Sequence, residues 1–396
     1  MSGLRQDETS LALIAWCGMV ALAVAMGVGR FAFTPLLPMM QDDHALTVAA
    51  GTWLATANYA GYLAGALIAL ARPVRPAAAI GGGLLAIALA TFGMGLTEDF
   101  AAWLALRAAA GVASAWVMIY VSSAFVGQLA QRGAEDLNGR IFAGVGLGIA
   151  AAGVVSLVLM TMHSTAAVAW MLFGGASLIA ALAIAPVLRA RHDDTARAAP
   201  AADREAMRWD GAAWRMIVCF ASSGFGYIVP ATFLPAMAKA LIQEPAIFGW
   251  SWPVFGAAAL VSTLTASALR RRMGNRRSWI ASQTVMAIGV ALPAFAGGIA
   301  AIILSGLMVG GTFMIITMSA MQEAKAIAGS QAVRLVSALT AAFAIGQLIG
   351  PLSVRAVLAL GGGFSAALVL AAAVLIAGAA LLRGGAPAAR TADCSA

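Results

Sequence analysis

The sequence has 396 residues, of which 62% are hydrophobic and only 10% are charged. Soluble domains carry about a quarter charged residues, so this composition excludes an ordinary soluble globular protein. The three cysteines have no metal-ligand spacing, so we expect no metal site, no disulfide framework and no cofactor. The net charge of +8 would suit nucleic-acid binding, but the basic residues lie between long apolar runs, so we expect no nucleic-acid partner.

Twelve apolar runs are long enough to cross a lipid bilayer as helices, since about 18 apolar residues suffice. The sequence therefore predicts an all-α membrane protein with twelve transmembrane helices. The predicted spans are 11–38, 51–71, 77–97, 101–125, 141–162, 167–188, 212–238, 248–269, 279–297, 299–321, 335–356 and 363–382.

A long polar segment divides these spans into two sets of six. Its Ala, Arg, Asp and Pro content is typical of a solvated linker. The predicted organisation is an N-terminal six-helix half at 1–188, a cytoplasmic linker at 189–211, a C-terminal six-helix half at 212–382 and a cytoplasmic tail at 383–396.

The basic residues predict the orientation of the chain. If the N-terminus is cytoplasmic, all of the 24 Lys and Arg except Arg30, Arg107, Lys239 and Arg355 fall in cytoplasmic segments. This distribution obeys the positive-inside rule, so we expect a multi-pass protein of the bacterial inner membrane with both termini cytoplasmic. We expect the first span to be a helix and not a cleaved signal peptide, because its hydrophobic run continues past the AVA at 23–25.

The motif in the first span recurs in the seventh. Residues 27–40 read GVGRFAFTPLLPMM and residues 224–237 read GFGYIVPATFLPAM, at an offset of 197 residues. The same offset relates Trp53 to Trp250 and places Tyr227 opposite Arg30. A constant offset across several helices predicts two related halves in parallel repeat, with a substrate site near the membrane midplane between them.

The sequences GRF and TPLLP in the first motif, followed by NYAGYLAGAL at 58–67, resemble the YbfB/YjiJ-type branch of the major facilitator superfamily. This resemblance covers nearly the whole chain and implies a monomeric transporter that works by alternating access. Arg107, followed by Gly111 and Ser114, is similar to the arginine motif in the fourth helix of proton-linked members. Two parts of the superfamily pattern are missing, since Ala110 stands where glutamine is often found and the loops RPVRP and RRRMGNRR lack the usual acidic residue.

Arg30 and Arg107 are unusual because both lie inside predicted spans, each about 12 Å below the predicted outer boundary. All 16 acidic residues lie in loops or at span ends, so neither arginine has a predicted counter-ion within the membrane. Guanidinium groups bind carboxylates and phosphates through paired hydrogen bonds, which favours an anionic substrate. Two structural interpretations stay open: Arg30 could extend outward toward Asp42 or Asp43, and Arg107 could bond helix carbonyls.

Further polar side chains in the spans are candidates for the substrate site, although each could instead bond a neighbouring helix or fill the core. They are Thr34, Asn58, Tyr62, Tyr227 and Gln347. Glycines at small-xxx-small spacing are expected to let helices pack closely and move, and not to bind substrate. These gating and packing positions are Gly61, Gly65, Gly111, Gly144, Gly148, Gly346 and Gly350, together with Pro351.

The sequence therefore predicts a secondary transporter of a small organic anion, coupled to a proton or to an exchange anion. The absence of a GxxxxGK[ST] motif argues against direct ATP drive. The alternative is a multidrug-type exporter of neutral or apolar compounds, for which 19 methionines and 16 phenylalanines could form an adaptable cavity. A membrane enzyme would need clustered acids, histidines or cysteines within the spans, and we identify no catalytic residues. A non-transporting receptor of the same shape is a further, less favoured class.

Overall fold

A computed structural model describes residues 2–44, 46–72, 74–197, 209–241 and 249–384. The predicted all-α fold is confirmed, because these residues form helices joined by short turns, with no β-strand among them. Two π-helices occur: π1 (Ala23–Phe31) joins α1 to α2, and π2 (Val121–Phe125) joins α5 to α6. The α-helices are α1 (Ser2–Leu22), α2 (Phe33–His44), α3 (Val48–Ala71), α4 (Pro76–Met94), α5 (Phe100–Tyr120), α6 (Val126–Gln131), α7 (Asn138–Thr161), α8 (Ala166–Arg197), α9 (Gly211–Leu241), α10 (Ser251–Phe295), α11 (Ile299–Ala328), α12 (Ala332–Ala359) and α13 (Phe364–Arg383).

Eleven helical segments of the described residues are long and apolar enough to cross a membrane. Large apolar side chains such as Leu89 and Ile179 are exposed on the outside of the bundle, where lipid would contact them. The segment α10 has 45 residues and would measure about 68 Å if straight, against about 30 Å for a bilayer core. Its helical backbone is interrupted at Gly274, where φ is 76° and ψ is 164°. Glycine is the residue that adopts this left-handed conformation without steric cost.

The helices begin where the local sequence favours a start. The side chain of Thr47 accepts a hydrogen bond from the backbone N of Ala50 at 3.1 Å and caps α3. Asp99 caps α5 in the same way, accepting from Ala102 N at 2.7 Å. Pro76 occupies the first position of α4, where its missing N–H removes no helical hydrogen bond.

The first membrane-crossing segment is built from α1, π1 and α2 in series. A π-helix pairs residue i with residue i+5, is rare, and is frequent at functional sites. Two glycines press π1 against its neighbours. A Cβ at Gly27 would lie 2.4 Å from the Cα of Gly148 on α7, and one at Gly29 would lie 2.5 Å from the Oγ of Ser114 on α5.

The helices pair in the same way in both parts of the bundle. In the first part, α3 packs on α5, the first segment packs on α7, and α4 packs on α8. In the second part, the first stretch of α10 packs on α11, α9 packs on α12, and the second stretch of α10 packs on α13. A Cβ at Gly111 would lie 2.1 Å from the carbonyl oxygen of Asn58, and one at Gly310 would lie 2.5 Å from that of Phe255. Asn58 and Phe255 are themselves related by the offset of 197 residues.

The two parts meet along α7 with α10 and along α3 with α12. A Cβ at Gly146 would lie 2.3 Å from the backbone N of Leu260, and one at Gly256 would lie 2.3 Å from that of Ala150. Backbones in such close contact leave no room for side chains between α7 and α10. A small cavity at the centre of the bundle is lined by residues of π1, α3, α5, α9, α11 and α12.

Helix α8 extends past residue 188, the predicted end of the N-terminal half, and continues to Arg197. The first part of the predicted linker is therefore helical. The remainder of that linker from 198 to 208, and the predicted tail from 385, lie outside the described residues.

Candidate functional site

A chain of hydrogen bonds at the centre of the bundle starts from Arg30. The Arg30 side chain is only 3% exposed. Its Nη2 donates to Oε1 of Gln347 at 2.5 Å, and Nε2 of Gln347 donates to the hydroxyl of Tyr227 at 2.5 Å. Arg30 lies on π1, Gln347 on α12 and Tyr227 on α9, so the chain connects the two parts of the bundle.

Aromatic rings cover the guanidinium of Arg30. Its Cζ lies 4.0 Å from the ring centroid of Tyr62 and 5.7 Å from that of Tyr59. The Nε and Nη1 atoms of Arg30 have no hydrogen-bond partner among the described residues. The charge is thus stabilised by one amide oxygen and by aromatic faces, and not by a carboxylate. Buried donors without partners are costly, so this arrangement favours a group that can accept from them.

The backbone beneath Arg30 is held by side chains of two other helices. Nη2 of Arg107 lies 3.3 Å from the carbonyl oxygen of Arg30, and Nη1 lies 3.5 Å from that of Gly29. Nδ2 of Asn58 donates to the same Gly29 carbonyl at 3.1 Å and to the Arg107 carbonyl at 2.9 Å. Ser114 Oγ donates to the carbonyl of Ala25 at 2.8 Å. Carbonyls in π1 are therefore contacted by polar side chains of α3 and α5.

These contacts distinguish the two arginines. Arg107 is buried and directed at the backbone of π1, and its Cζ lies 4.8 Å from the ring centroid of Phe33. The structural interpretation of Arg107, that it bonds helix carbonyls, matches this geometry. The interpretation that Arg30 extends outward toward Asp42 or Asp43 does not match the structure. Arg30 donates to Gln347, while Asp43 accepts from the backbone N of Ala166.

A small cavity of about 20 Å³ lies at the centre of the bundle, lined by Phe31, Tyr62 and Tyr227 but not by Arg30 itself. That volume holds about one water molecule, so the centre of the bundle is closed in this conformation. The ring of Tyr227 stacks on Phe313 and Phe343, with centroids 5.7 Å and 5.3 Å away. The lining is aromatic and sulfur-rich, and consists of Met26, Phe31, Tyr62, Met118, Phe220, Tyr227, Phe313, Met314, Thr317, Met321, Thr340 and Phe343.

The end of the bundle at which α8 ends and α9 begins is called the linker end. Among the described residues, an ion pair and a hydrogen bond join the two parts of the bundle there. Arg271 on α10 pairs with Asp136 in the turn before α7, and both side chains are largely exposed. Nζ of Lys325 near the end of α11 donates to the carbonyl of Ser123 in π2 at 3.3 Å. The second contact again satisfies a π-helix carbonyl with a basic side chain.

The remaining predicted residues fall around this centre in different ways. Thr34 is half-buried on α2 and takes no part in the hydrogen bonds of Arg30. Pro351 lies within α12, which continues through it. A Cβ at any of the predicted packing glycines would lie 2.0 to 2.6 Å from an atom of a neighbouring helix: Gly61, Gly65, Gly111, Gly144, Gly148, Gly346 and Gly350.

Sequence reasoning missed two groups of residues. The first is the aromatic lining, of which Phe31 could have been found because it directly follows Arg30. The second is a buried cluster around Gln283, whose Oε1 accepts from Ser223 Oγ at 2.7 Å and Trp279 Nε1 at 2.9 Å. Its Nε2 donates to the Leu375 carbonyl at 2.9 Å, so the cluster joins α9, α10 and α13. This cluster lies away from Arg30 and holds the second part of the bundle together.

A helical bundle with lipid-facing apolar surfaces and a buried arginine between two sets of helices is the architecture of a polytopic membrane transporter. The family model described as "Uncharacterised MFS-type transporter YbfB" matches residues 22–383. The chain therefore belongs to this family of major facilitator transporters. Comparison with curated proteins gave no match.

Proposed function

We propose that the protein is a secondary active transporter of a small organic anion, and that Arg30 binds the anionic group. The observation that carries this proposal is the buried guanidinium with free Nε and Nη1 atoms. A carboxylate would accept from these donors and would neutralise a charge that has only an amide partner. Tyr62 and the ring stack around Tyr227 would then contact the organic part of the substrate.

Alternating access would work through the contacts that now close the centre. Gln347 occupies the Arg30 donor that a substrate oxygen would take, and Gln347 and Arg30 lie on opposite parts of the bundle. An anion that displaces Gln347 would therefore separate the two parts at this point. After the substrate is released, the empty site would close again because the amide oxygen of Gln347 replaces the substrate oxygen at Arg30.

The two parts are proposed to be related halves with six spans each. The matching helix pairs and the equivalent positions of Asn58 and Phe255 support this organisation. The break at Gly274 supports two spans within α10, which would bring the total to twelve. The positive-inside rule favours cytoplasmic termini in a bacterial inner membrane, and the family favours a monomer.

Coupling is proposed to occur either by co-transport of a proton bound to the substrate or by exchange of one anion for another. The cavity lining contains no acidic or histidine side chain. A proton carried by a protein group would need such a side chain near Arg30. Anion exchange needs none, because each anion in turn would be the partner of Arg30.

A second candidate function is the export of neutral or apolar compounds. The aromatic and methionine lining of the cavity favours it, because such side chains adapt to different apolar shapes. In that case Arg30 would be a gating residue that closes the centre through Gln347.

The two functions can be separated by thermal unfolding of the purified protein with a panel of carboxylates, organic phosphates and apolar drugs. We expect a carboxylate to raise the unfolding temperature, and we expect Arg30→Ala to abolish that rise. Arg355→Ala, a change at an exposed arginine on α12, is the matched control and should keep the response. Stabilisation by apolar drugs alone, unchanged in Arg30→Ala, would reject the anion proposal and support the second candidate.

A further inference from the structure

A groove on the outer surface of the bundle lies between α4 and α8, away from Arg30. The two helices touch closely at the end opposite the linker end. A Cβ at Gly174 would lie 2.5 Å from the backbone N of Phe92, and one at Gly95 would lie 2.5 Å from the carbonyl oxygen of Ala167. Toward the linker end the helices diverge and enclose a volume of about 470 Å³. This volume greatly exceeds that of the central cavity.

The walls of the groove are apolar and small. They consist of Ala, Gly and Leu side chains between residues 77 and 85 on α4 and between residues 178 and 188 on α8. At about 1.5 Å per residue these stretches are about 12 to 15 Å long. Half of a bilayer core measures about 15 Å, so the groove matches the depth of the acyl chains of one leaflet.

Positive charge is concentrated at the open end of the groove. Arg189 is the charged residue of the lining, and no acidic side chain lines the groove among the residues whose side chains the structure describes. Arg72 and Arg75 are exposed shortly before α4, whose residue Ala77 is the first of the wall. The groove therefore combines an apolar slot of leaflet depth with a basic rim.

We propose that this groove binds an anionic phospholipid, with one acyl chain between α4 and α8 and the phosphate at Arg189. An open apolar slot facing lipid loses packing contacts unless a chain fills it. Basic residues at this depth attract anionic head groups. A soluble anion would use Arg189 alone and leave the apolar walls uncovered, so a phospholipid is the better fit.

Native mass spectrometry of the full-length protein in detergent tests this site, with phosphatidylglycerol and phosphatidylcholine of identical acyl chains as probes. We expect the protein to retain phosphatidylglycerol in preference. Arg189→Gln should weaken its retention about fivefold, the effect of one basic residue near a head group, and leave phosphatidylcholine unchanged. Gly81→Leu, which fills the slot, should weaken retention of both lipids.

Arg272→Gln, at an exposed arginine on α10, is the matched control for the loss of one charge. Equal retention of the two lipids by the unaltered protein would overturn the proposal. So would an Arg189→Gln result no different from that of Arg272→Gln, or full retention by a Gly81→Leu variant with unchanged thermal unfolding. Displacement of phosphatidylglycerol by inorganic phosphate would show a soluble-anion site instead.

Discussion

The Nη2 atom of Arg107 lies 3.3 Å from the carbonyl oxygen of Arg30, so one buried arginine supports the backbone that presents the other. The two residues are therefore expected to respond differently to substitution. Arg107 contacts carbonyls of π1, whereas Arg30 has two buried donors, Nε and Nη1, without a hydrogen-bond partner among the described residues. Although both residues are arginines, Arg107 supports the backbone of π1 and Arg30 is the proposed ligand of the anion.

Arg107→Met should lower the free energy of unfolding by about 1–2 kcal/mol, because the Arg30 carbonyl loses its side-chain donor and the Gly29 carbonyl keeps only that of Asn58. Arg30→Met should lower it less, since the apolar side chain removes a buried charge with two unpartnered donors. Denaturant unfolding in detergent measures both. An Arg107→Met protein as stable as the original, with loss of anion binding alone, would show that Arg107 contacts substrate and not backbone.

Gln347→Glu should raise the unfolding temperature of the ligand-free protein, because a carboxylate would replace the amide oxygen that lies 2.5 Å from Arg30 Nη2. The same variant should weaken anion binding at least tenfold, which is about 1.4 kcal/mol, since the site supplies its own anion. Gln347→Leu should have the opposite effect on the ligand-free protein, lowering its unfolding temperature. Thermal unfolding with and without the anion tests both, and unchanged anion binding by Gln347→Glu would contradict the proposed displacement of Gln347.

Gly111→Ala should destabilise the protein by about 1–3 kcal/mol, because the new Cβ would lie 2.1 Å from the carbonyl oxygen of Asn58. Asn58 holds π1, so the same change should weaken anion binding. Gly82→Ala is the matched control, since no atom lies within 4 Å of its new Cβ, and it should leave stability unchanged or raise it by about 0.5–1 kcal/mol. Equal effects of the two substitutions would show that the contact of α3 with α5 is not tight.

Lys325→Met should loosen the linker end, because its amine donates to the Ser123 carbonyl of π2 across the two parts of the bundle. Asp136→Asn should have little effect, since the ion pair with Arg271 is exposed and such pairs contribute about 0–1 kcal/mol. The measurement is the labelling rate of Ser123→Cys with a maleimide, in a protein whose native cysteines are replaced. We expect Ser123→Cys to be labelled several-fold faster when Lys325→Met is also present. Equal labelling rates with and without Lys325→Met would contradict a closing role for Lys325.

The candidate site could be predicted in part because polar side chains are rare in this chain. Arg30, Tyr62, Tyr227 and Gln347 were singled out as polar residues within apolar spans, and the structure places the four together. The offset of 197 residues indicated that Tyr227 would face Arg30. Which of them form hydrogen bonds could not be predicted, because Arg30 and Gln347 are 317 residues apart and their contact depends on the packing of the two parts.

The helices were predictable from hydropathy, but π1 and π2 were not. Hydropathy reports how apolar a segment is. It gives no information about whether a backbone carbonyl accepts from the N–H of residue i+4 or of residue i+5. The signals in the sequence are indirect: Gly27 and Gly29 permit close contact, and Arg107 supplies donors to the carbonyls. Without π1, the carbonyls that Arg107 contacts could not be identified from the sequence, so its structural and substrate-binding interpretations both stayed open.

The π1 segment makes the site sensitive to the number of residues as well as to their identity. A π-helix accommodates extra chain in the length of an α-helix, so deletion of one residue between Ala23 and Phe31 would let α-helical bonding replace it. The turn per residue is smaller in a π-helix than in an α-helix, so this change in bonding would alter the direction and height at which Arg30 leaves the helix. Arg30 would survive such a deletion and yet point away from Gln347. In an alignment of related chains, a one-residue gap within π1 would indicate a different arrangement of the central site, even where all of its side chains are retained.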